Sequence, residues 1–261
     1  PWEWDSTCTT TDAVSQSTWY HDASCLHPSS VYPALPALVS GTTIYVRTSL
    51  SSGSLQSSFQ YGQPGDVYLM GDWTGSGVKT PGVVRGTRRG PAGDTGLVWY
   101  LKQSEGEGLP DLIFEFGRAG DIPVVGDWNG DGVMTCGVFR NGRWLLRNSN
   151  SSGPADIEIE YGQAGDIPVA GRWTDDGRAR PGVVRGTRWM LRTTDGGATA
   201  DFEFGPGGIP IVGDWQGTGV DRPGWFNAGT WSLRNSLSSG AADTTFQYGS
   251  SGDIPLVWGK L

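Results

Sequence analysis

Lysine and histidine are scarce in this chain: 261 residues contain three Lys and two His. Charged residues are 18% of the total and the net charge is −8, with no Lys/Arg cluster, so a surface that tracks phosphates, and with it nucleic-acid binding, is excluded. No stretch approaches the ~20 consecutive apolar residues of a membrane-spanning helix. Cysteine is limited to Cys8, Cys25 and Cys136. Cys8 and Cys25 flank a segment rich in Ser, Thr, Trp and Tyr; a disulfide between them would tether that arm and favour an oxidising, extracellular setting, the other reading being two free thiols. Cys136 stands where three sister repeats carry Pro and is expected to be a buried, unpaired small hydrophobe.

What the chain has in abundance is glycine, 42 residues, and tryptophan, 13. Both fall in a repeat. "GDIPVVGDW" at 120–128 returns as "GDVYLMGDW" at 65–73, "GDIPVAGRW" at 165–173, "GGIPIVGDW" at 207–215 and, shortened, "GDIPLVWGKL" at 252–261. A second phrase follows each complete copy ("PGVVRGTR" at 81–88, "CGVFRNGR" at 136–143), then a third ("WYLK" at 99–102, "WLLR" at 144–147), then an F-x-Y/F-G phrase. Each unit thus holds four apolar segments of strand length bounded by Gly, Pro or Asn, with period-two alternation in "FEF" and "FQY". Four short antiparallel strands per repeat of about 45 residues predict a β-propeller blade.

Units starting near 66, 121, 166 and 208 are complete, and the one starting near 253 has only its first strand. "PALVSGTTIYVR" at 36–47 aligns without a gap on "PGVVRGTRWMLR" at 181–192, and "FQYG" at 59–62 supplies an outer strand. The expected fold is therefore all-β: one five-bladed propeller over 34–261, closed by three N-terminal strands and a C-terminal innermost strand. Residues 1–33 are expected to form a disulfide-bearing arm or cap. Eight Trp (73, 99, 128, 144, 173, 189, 215, 231) occupy two repeat positions and are expected to fill the wedges between blades. Arg47, Lys102, Arg147, Arg192 and Arg234 also recur, and blade-to-blade hydrogen bonding or stacking is expected of them. A ten-residue insertion, about 87–96, reads as a longer loop in the first complete blade.

"GDWNGDGVMTCGVFR" at 126–140 resembles the FG-GAP or VCBS repeat of integrin-type propellers, of a secreted bacterial type. The resemblance covers 36 to the end and implies a loop that joins the innermost strand to the next and holds Ca²⁺. The residues matching that motif are Asp127, Asn129 and Asp131, with Val133 through its carbonyl and Thr135 where the family has its last Asp. Two carboxylates imply one weak Ca²⁺ site, with a dissociation constant on the order of 10⁻⁴–10⁻³ M; the alternative is that Asp127 and its sisters close a turn by accepting backbone N–H groups. The sister loops are poorer in acid, and one carries Arg172 and Arg180, where a guanidinium would replace the cation.

Such propellers serve many functions. The expectation here is a secreted, non-enzymatic, lectin-like module that binds a carbohydrate or cell-envelope polymer, with Trp2, Trp4, Trp19 and Tyr20 of the arm as a stacking platform or as a cap over one mouth of the channel. A protein-interaction or structural propeller is the rival: a wall scaffold, an inhibitor of a secreted enzyme, or a cross-linking substrate through Gln63 and Gln163. An enzyme would have to use the arm's His21 and His27. A glycosidase pair is disfavoured because Glu115, Glu160 and Glu203 fall on outer strands, far from the axis.

Overall fold

The structure, a computed structural model, describes residues 33–52, 57–89, 94–197 and 199–259. The chain divides into two units, Pro1–Val31 and Tyr32–Leu261. The first lies outside the described residues, and with it the Cys8–Cys25 pair, both histidines, and Trp2, Trp4, Trp19 and Tyr20.

In chain order the strands begin with β1 (Leu35–Ser40), β2 (Thr43–Val46) and β3 (Ser57–Gln60). Blade one is β4 (Val67–Gly71), β5 (Thr80–Arg89), β6 (Asp94–Leu101) and β7 (Leu112–Arg118). Blade two is β8 (Ile122–Gly126), β9 (Thr135–Arg140), β10 (Arg143–Leu146) and β11 (Ile157–Glu160). Blade three is β12 (Ile167–Gly171), β13 (Arg180–Arg185), β14 (Arg188–Arg192) and β15 (Thr199–Glu203). Blade four is β16 (Ile209–Gly213), β17 (Arg222–Asn227), β18 (Thr230–Leu233) and β19 (Thr244–Gln247), and β20 (Ile254–Trp258) ends the chain's strands. β20 pairs with β1 in the register Leu35↔Trp258, Ala37↔Leu256, Val39↔Ile254, giving a closing blade of order β20-β1-β2-β3. All five sheets are four-stranded and antiparallel, and the innermost strands β4, β8, β12, β16 and β20 neighbour one another around a complete circuit. The five-bladed propeller and its closure from both ends of the repeat region are as the repeats predict.

The core is five wedges, one per blade junction. Trp73 and Trp99 of blade one pack with Cys136 and Val138 of blade two, and Trp128 and Trp144 pack with Val183 of blade three. Trp173 and Trp189 meet Trp225, and Trp215 and Trp231 meet Leu38 of the closing blade. At the fifth junction Ile44 stands at the repeat position of Trp99 and packs with Phe59, Tyr61 and Tyr68. All eight repeat Trp are buried, as expected of them. Cys136 is a free thiol with no exposure, and burial pushes it up to about 12, so it is inert as a nucleophile.

The glycine of the F-x-Y/F-G phrase is required at every junction. Gly62, Gly117, Gly162, Gly205 and Gly249 all have φ between +84° and +94°. A Cβ there would meet the next blade's second strand: Val83 at 2.9 Å, Val138 at 2.9 Å, Val183 at 2.7 Å, Trp225 at 1.9 Å and Leu38 at 2.4 Å.

Two features differ from expectation. The 87–96 insertion does not form a long loop: β5 and β6 run on in register from Arg85↔Val98 to Arg89↔Asp94, so the added residues lengthen a hairpin by continuing the ladder. The recurring arginines serve mostly their own blades. Arg147 binds the carbonyls of Pro154 and Ser152 and the hydroxyls of Ser149 and Ser151, and Arg234 likewise holds the carbonyls of Ser238, Ser239 and Ala241. The blade-to-blade bond is made by the loop so shaped: the hydroxyls of Ser152, Ser239 and Ser52 accept the N–H groups of Glu115, Glu203 and Gln247 on the preceding blade's outer strand. Arg47 alone of the set keeps the expected role among the described contacts, stacking over Tyr248 of the neighbouring blade at 4.6 Å.

In blades one to three a further repeat device ties the residue before the first strand to the second strand of the same blade. Asp66, Asp121 and Asp166 each form bidentate pairs with Arg85, Arg140 and Arg185, with N–O distances of 2.7–2.9 Å and carboxylates only 1% exposed. Each carboxylate also accepts a backbone N–H, from Gln63, Arg118 and Gln163 respectively. Breaking a buried pair costs about 3–5 kcal/mol, and hydration of the Arg140 guanidinium, 24% exposed, recovers part of that. Asp121→Ala is thus expected to cost about 2–3 kcal/mol in urea unfolding. The double change Asp121→Gly with Arg140→Asn, which copies blade four's Gly208 and Asn227, is expected to recover part of the loss. An unchanged midpoint in the single variant would mean the pair does not stabilise the blade. The Arg185 guanidinium, helped by the Gln163 N–H, holds Asp166 below its ordinary value. Its stabilisation is therefore complete above the unfolded-chain value and is lost as pH falls through the lowered one. The gap in stability between the wild-type chain and Asp166→Asn should narrow on acidification below about pH 4.

Candidate functional site

Five backbone bonds belt the inner ring. The residue before each second strand donates its N–H to the residue after the preceding blade's first strand: Lys79 to Gly259, Met134 to Asp72, Ala179 to Asp127, Asp221 to Arg172, and Ala34 to Asp214, at 2.6–3.2 Å. These ten residues form the rim of one mouth of the axial channel, and the loops that resemble calcium sites hang from it.

In the second-blade loop Asp127, Asn129, Asp131 and Val133 come together, but chiefly on one another. Asp127 Oδ1 accepts the N–H of Gly130 at 2.7 Å and of Asp131 at 3.1 Å, and Oδ2 that of Gly132 at 2.9 Å. Asp131 accepts the Val133 N–H and the Asn129 side-chain amide, both at 2.8 Å. Thr135 lies apart, buried in the blade with its hydroxyl donating to the Arg147 carbonyl at 2.7 Å. Loops of different charge close the same way: Asp72 takes the N–H groups of Thr74, Ser76 and Gly77, and Asp214 those of Thr218 and Gly219. In the third-blade loop the Arg180 guanidinium binds Asp176 at 2.5 and 2.9 Å and Thr174 at 3.3 Å, and holds the Asp176 carboxyl well below the usual range. Among the described residues no group of three or more His, Cys, Asp or Glu is placed to hold a metal. The donor set in blade two therefore fits turn closure better than a cation. A site with a dissociation constant of 10⁻⁴–10⁻³ M would gain about 1.4–2.7 kcal/mol in roughly 10 mM Ca²⁺, a melting shift of several degrees. The expected result is no shift between Ca²⁺ and EDTA by calorimetry; a shift of that size would assign Ca²⁺ to the loop.

Inside the rim the innermost strands enclose a central cavity of about 410 Å³. Its waist is a ring of one side chain per blade, Met70, Val125, Ala170, Val212 and Val257. Toward the rim the lining turns polar with Lys79, Arg172 and Asp221, and with the turn-closing Asp72 and Asp127. The five-fold pattern is broken at two places. Where three blades place a rim Asp, blade three has Arg172, whose backbone N–H donates to Asp221 of the next blade at 2.8 Å and whose Nε lies 3.8 Å from the same oxygen. Arg172 Nη2 is buried with no hydrogen-bond partner. In the closing blade the rim position is Gly259, whose carbonyl takes the Lys79 N–H, so that position offers Lys79 no side chain. Lys79 is 9% exposed, and burial lowers its ammonium, an effect opposed by Asp221, Asp214 and Asp72. The sequence reading missed Lys79 and Arg172 as a pair, although both stand out as departures from the repeat.

At the opposite mouth the first residue of each innermost strand is exposed: Val67 45%, Ile122 44%, Ile167 44%, Ile209 46% and Ile254 39%. One aliphatic side chain per blade thus forms an apolar ring. Among the described residues no helix is long and apolar enough to cross a membrane. No family model matches the chain, and no curated protein matches it.

Proposed function

We propose that this chain is a secreted recognition module of the FG-GAP/VCBS-like type that binds a carbohydrate or cell-envelope polymer. The observation that carries the reading is repetition at the periphery. Three of five blades carry the same S-x-S-S-G phrase, at 49–53, 149–153 and 236–240, followed by a polar outer strand. Ser52, Ser152 and Ser239 are exposed residues that recur around one ring, each hydroxyl accepting a strand N–H and keeping its own O–H to donate. A polymer with its own repeat can engage several such copies at once, so that weak contacts sum to useful avidity. The buried Trp leave sugar stacking to other groups, and contact through hydroxyls and strand edges is the chemistry that remains in this unit. The test is a glycan and cell-wall polysaccharide array run with millimolar Ca²⁺ and with EDTA. Binding in either condition supports the reading, and binding with Ca²⁺ alone would place the 127–135 loop in the site. No binder at high protein concentration overturns it.

A protein-interaction or scaffold role is the second reading, favoured by the exposed aliphatic ring at Val67, Ile122, Ile167, Ile209 and Ile254. It predicts a partner from the same organism's culture fluid that is lost when Ile122, Ile167 and Ile209 are changed to Ser.

A further inference from the structure

We infer that the axial cavity is a binding site for a small organic anion with an apolar body, a monocarboxylate, whose charged end sits on Lys79 and Arg172 and whose body lies in the aliphatic waist. This site is separate from the peripheral surface proposed above and stands or falls independently of it.

Three observations carry the assignment. The first is the pairing of charges at the rim. Asp72 is satisfied by its own loop through Thr74, Ser76 and Gly77, and Asp127 through Gly130, Asp131 and Gly132. Asp221 is taken by the Arg172 backbone. What is left without a partner is cationic: the Lys79 ammonium has no ion pair among the described residues, and Arg172 Nη2 is an orphan donor. A buried ammonium with carboxylates nearby but none in ion-pair contact is costly, and a bound anion within hydrogen-bond reach offsets part of that cost.

The second observation is the break in symmetry. The position of Lys79 is Met134, Ala179, Asp221 and Ala34 in the other blades, so a folding role common to the rim does not call for a lysine. At the position where three blades place an Asp, the closing blade beside Lys79 has Gly259.

The third is the room. About 410 Å³ holds on the order of a dozen water-sized groups and lies within the range of small-molecule pockets. The waist of Met70, Val125, Ala170, Val212 and Val257 offers no hydrogen-bonding side chain, which suits a hydrocarbon or aryl body, and Tyr68 beyond it adds one buried, unpartnered hydroxyl to the lining. One polar end and one apolar wall select an amphipathic acid over an inorganic anion.

The test uses the full chain and isothermal titration calorimetry with octanoate, with 1-octanol and sulfate as controls. The expected result is one octanoate per chain, with both controls at least tenfold weaker. Lys79→Met should weaken octanoate at least tenfold while the free variant melts no lower than the wild-type chain, since it removes an unpaired buried charge. Ala170→Leu, which narrows the waist without touching the charges, should also weaken binding. The inference is overturned if octanoate does not bind at millimolar concentration, if both variants bind it as the wild-type chain does, or if sulfate binds equally well.

Discussion

Deleting residues 252–261 is expected to abolish the cooperative fold. This segment is a small part of the chain, yet it holds β20, the innermost strand of the closing blade. Its removal unpairs the whole inner edge of β1, from Leu35 to Val39, and leaves β16 and β4 without the neighbour that joins them. Leu256, 7% exposed, leaves the wedge that it shares with Ala37, Val39 and Met70. The belt bond from Lys79 to the Gly259 carbonyl goes as well. At about 1 kcal/mol per ladder bond and about 1.5–3 kcal/mol per buried aliphatic side chain, the loss is on the order of the 5–15 kcal/mol that hold a domain together. A red-shifted Trp fluorescence and a lost thermal transition are the expected readouts. A truncated chain that melts like the intact one would contradict closure through this strand.

The second large effect is at Trp99. It has no exposure, stacks on Phe114 with ring centroids 6.0 Å apart, and donates its indole N–H to the Phe116 carbonyl at 2.8 Å. Trp99→Ala should cost about 3–5 kcal/mol, the range for emptying a packed aromatic site. Trp144 and Trp231 donate in the same way, to Tyr161 and Tyr248. Trp189, at the same repeat position, does not: the Phe204 carbonyl is taken by the N–H of Trp225 at 2.6 Å, and Trp189 Nε1 is buried without a partner. Two identical substitutions should therefore differ. Trp99→Phe loses a hydrogen bond and leaves a carbonyl unsatisfied, whereas Trp189→Phe removes an orphan donor. The expected gap is about 1–2 kcal/mol in denaturant unfolding, and equal losses would show that the indole bond does not matter.

Much of this architecture was legible because the repeat states it five times. The number of blades, the closing strand and the buried Trp all follow from phrases that align by eye. The Asp–Arg pairs were equally visible, since Asp66, Asp121 and Asp166 each precede Arg85, Arg140 and Arg185 by the same spacing and both partners vanish together at Gly208 and Asn227. Reading each phrase by itself hid the link between them. The S-x-S-S-G latch was hidden for another reason: a Ser-rich loop reads as solvated, and only the fold brings Ser152 to the strand of the preceding blade. The insertion at 87–96 reads as a loop because it lacks the repeat's apolar spacing, while a β-ladder needs only backbone groups to continue. The cavity could not be read from one copy at all. Its chemistry lies in the two rim positions, Lys79 and Arg172, where the copies disagree, so the repeat that explains the fold masks them.

The most direct test of the ring is a disulfide across its seam. Ala37 and Leu256 are opposite one another in the β1–β20 register, and Ala37→Cys with Leu256→Cys exchanges a small and a large buried side chain, nearly conserving volume. The native Cys136 is buried and its thiol is held protonated, and Cys8 and Cys25 are replaced by Ser in both test chains, so that no native thiol competes. Oxidation of the folded chain should give the 37–256 bond in near-quantitative yield by peptide mapping, with a higher melting temperature that reverts on reduction. A control pair two residues out of register, Ala37→Cys with Ile254→Cys, should not cross-link under the same conditions. Failure of the first pair to form, or equal yield from both, would contradict a propeller closed by pairing the two ends of its repeat region.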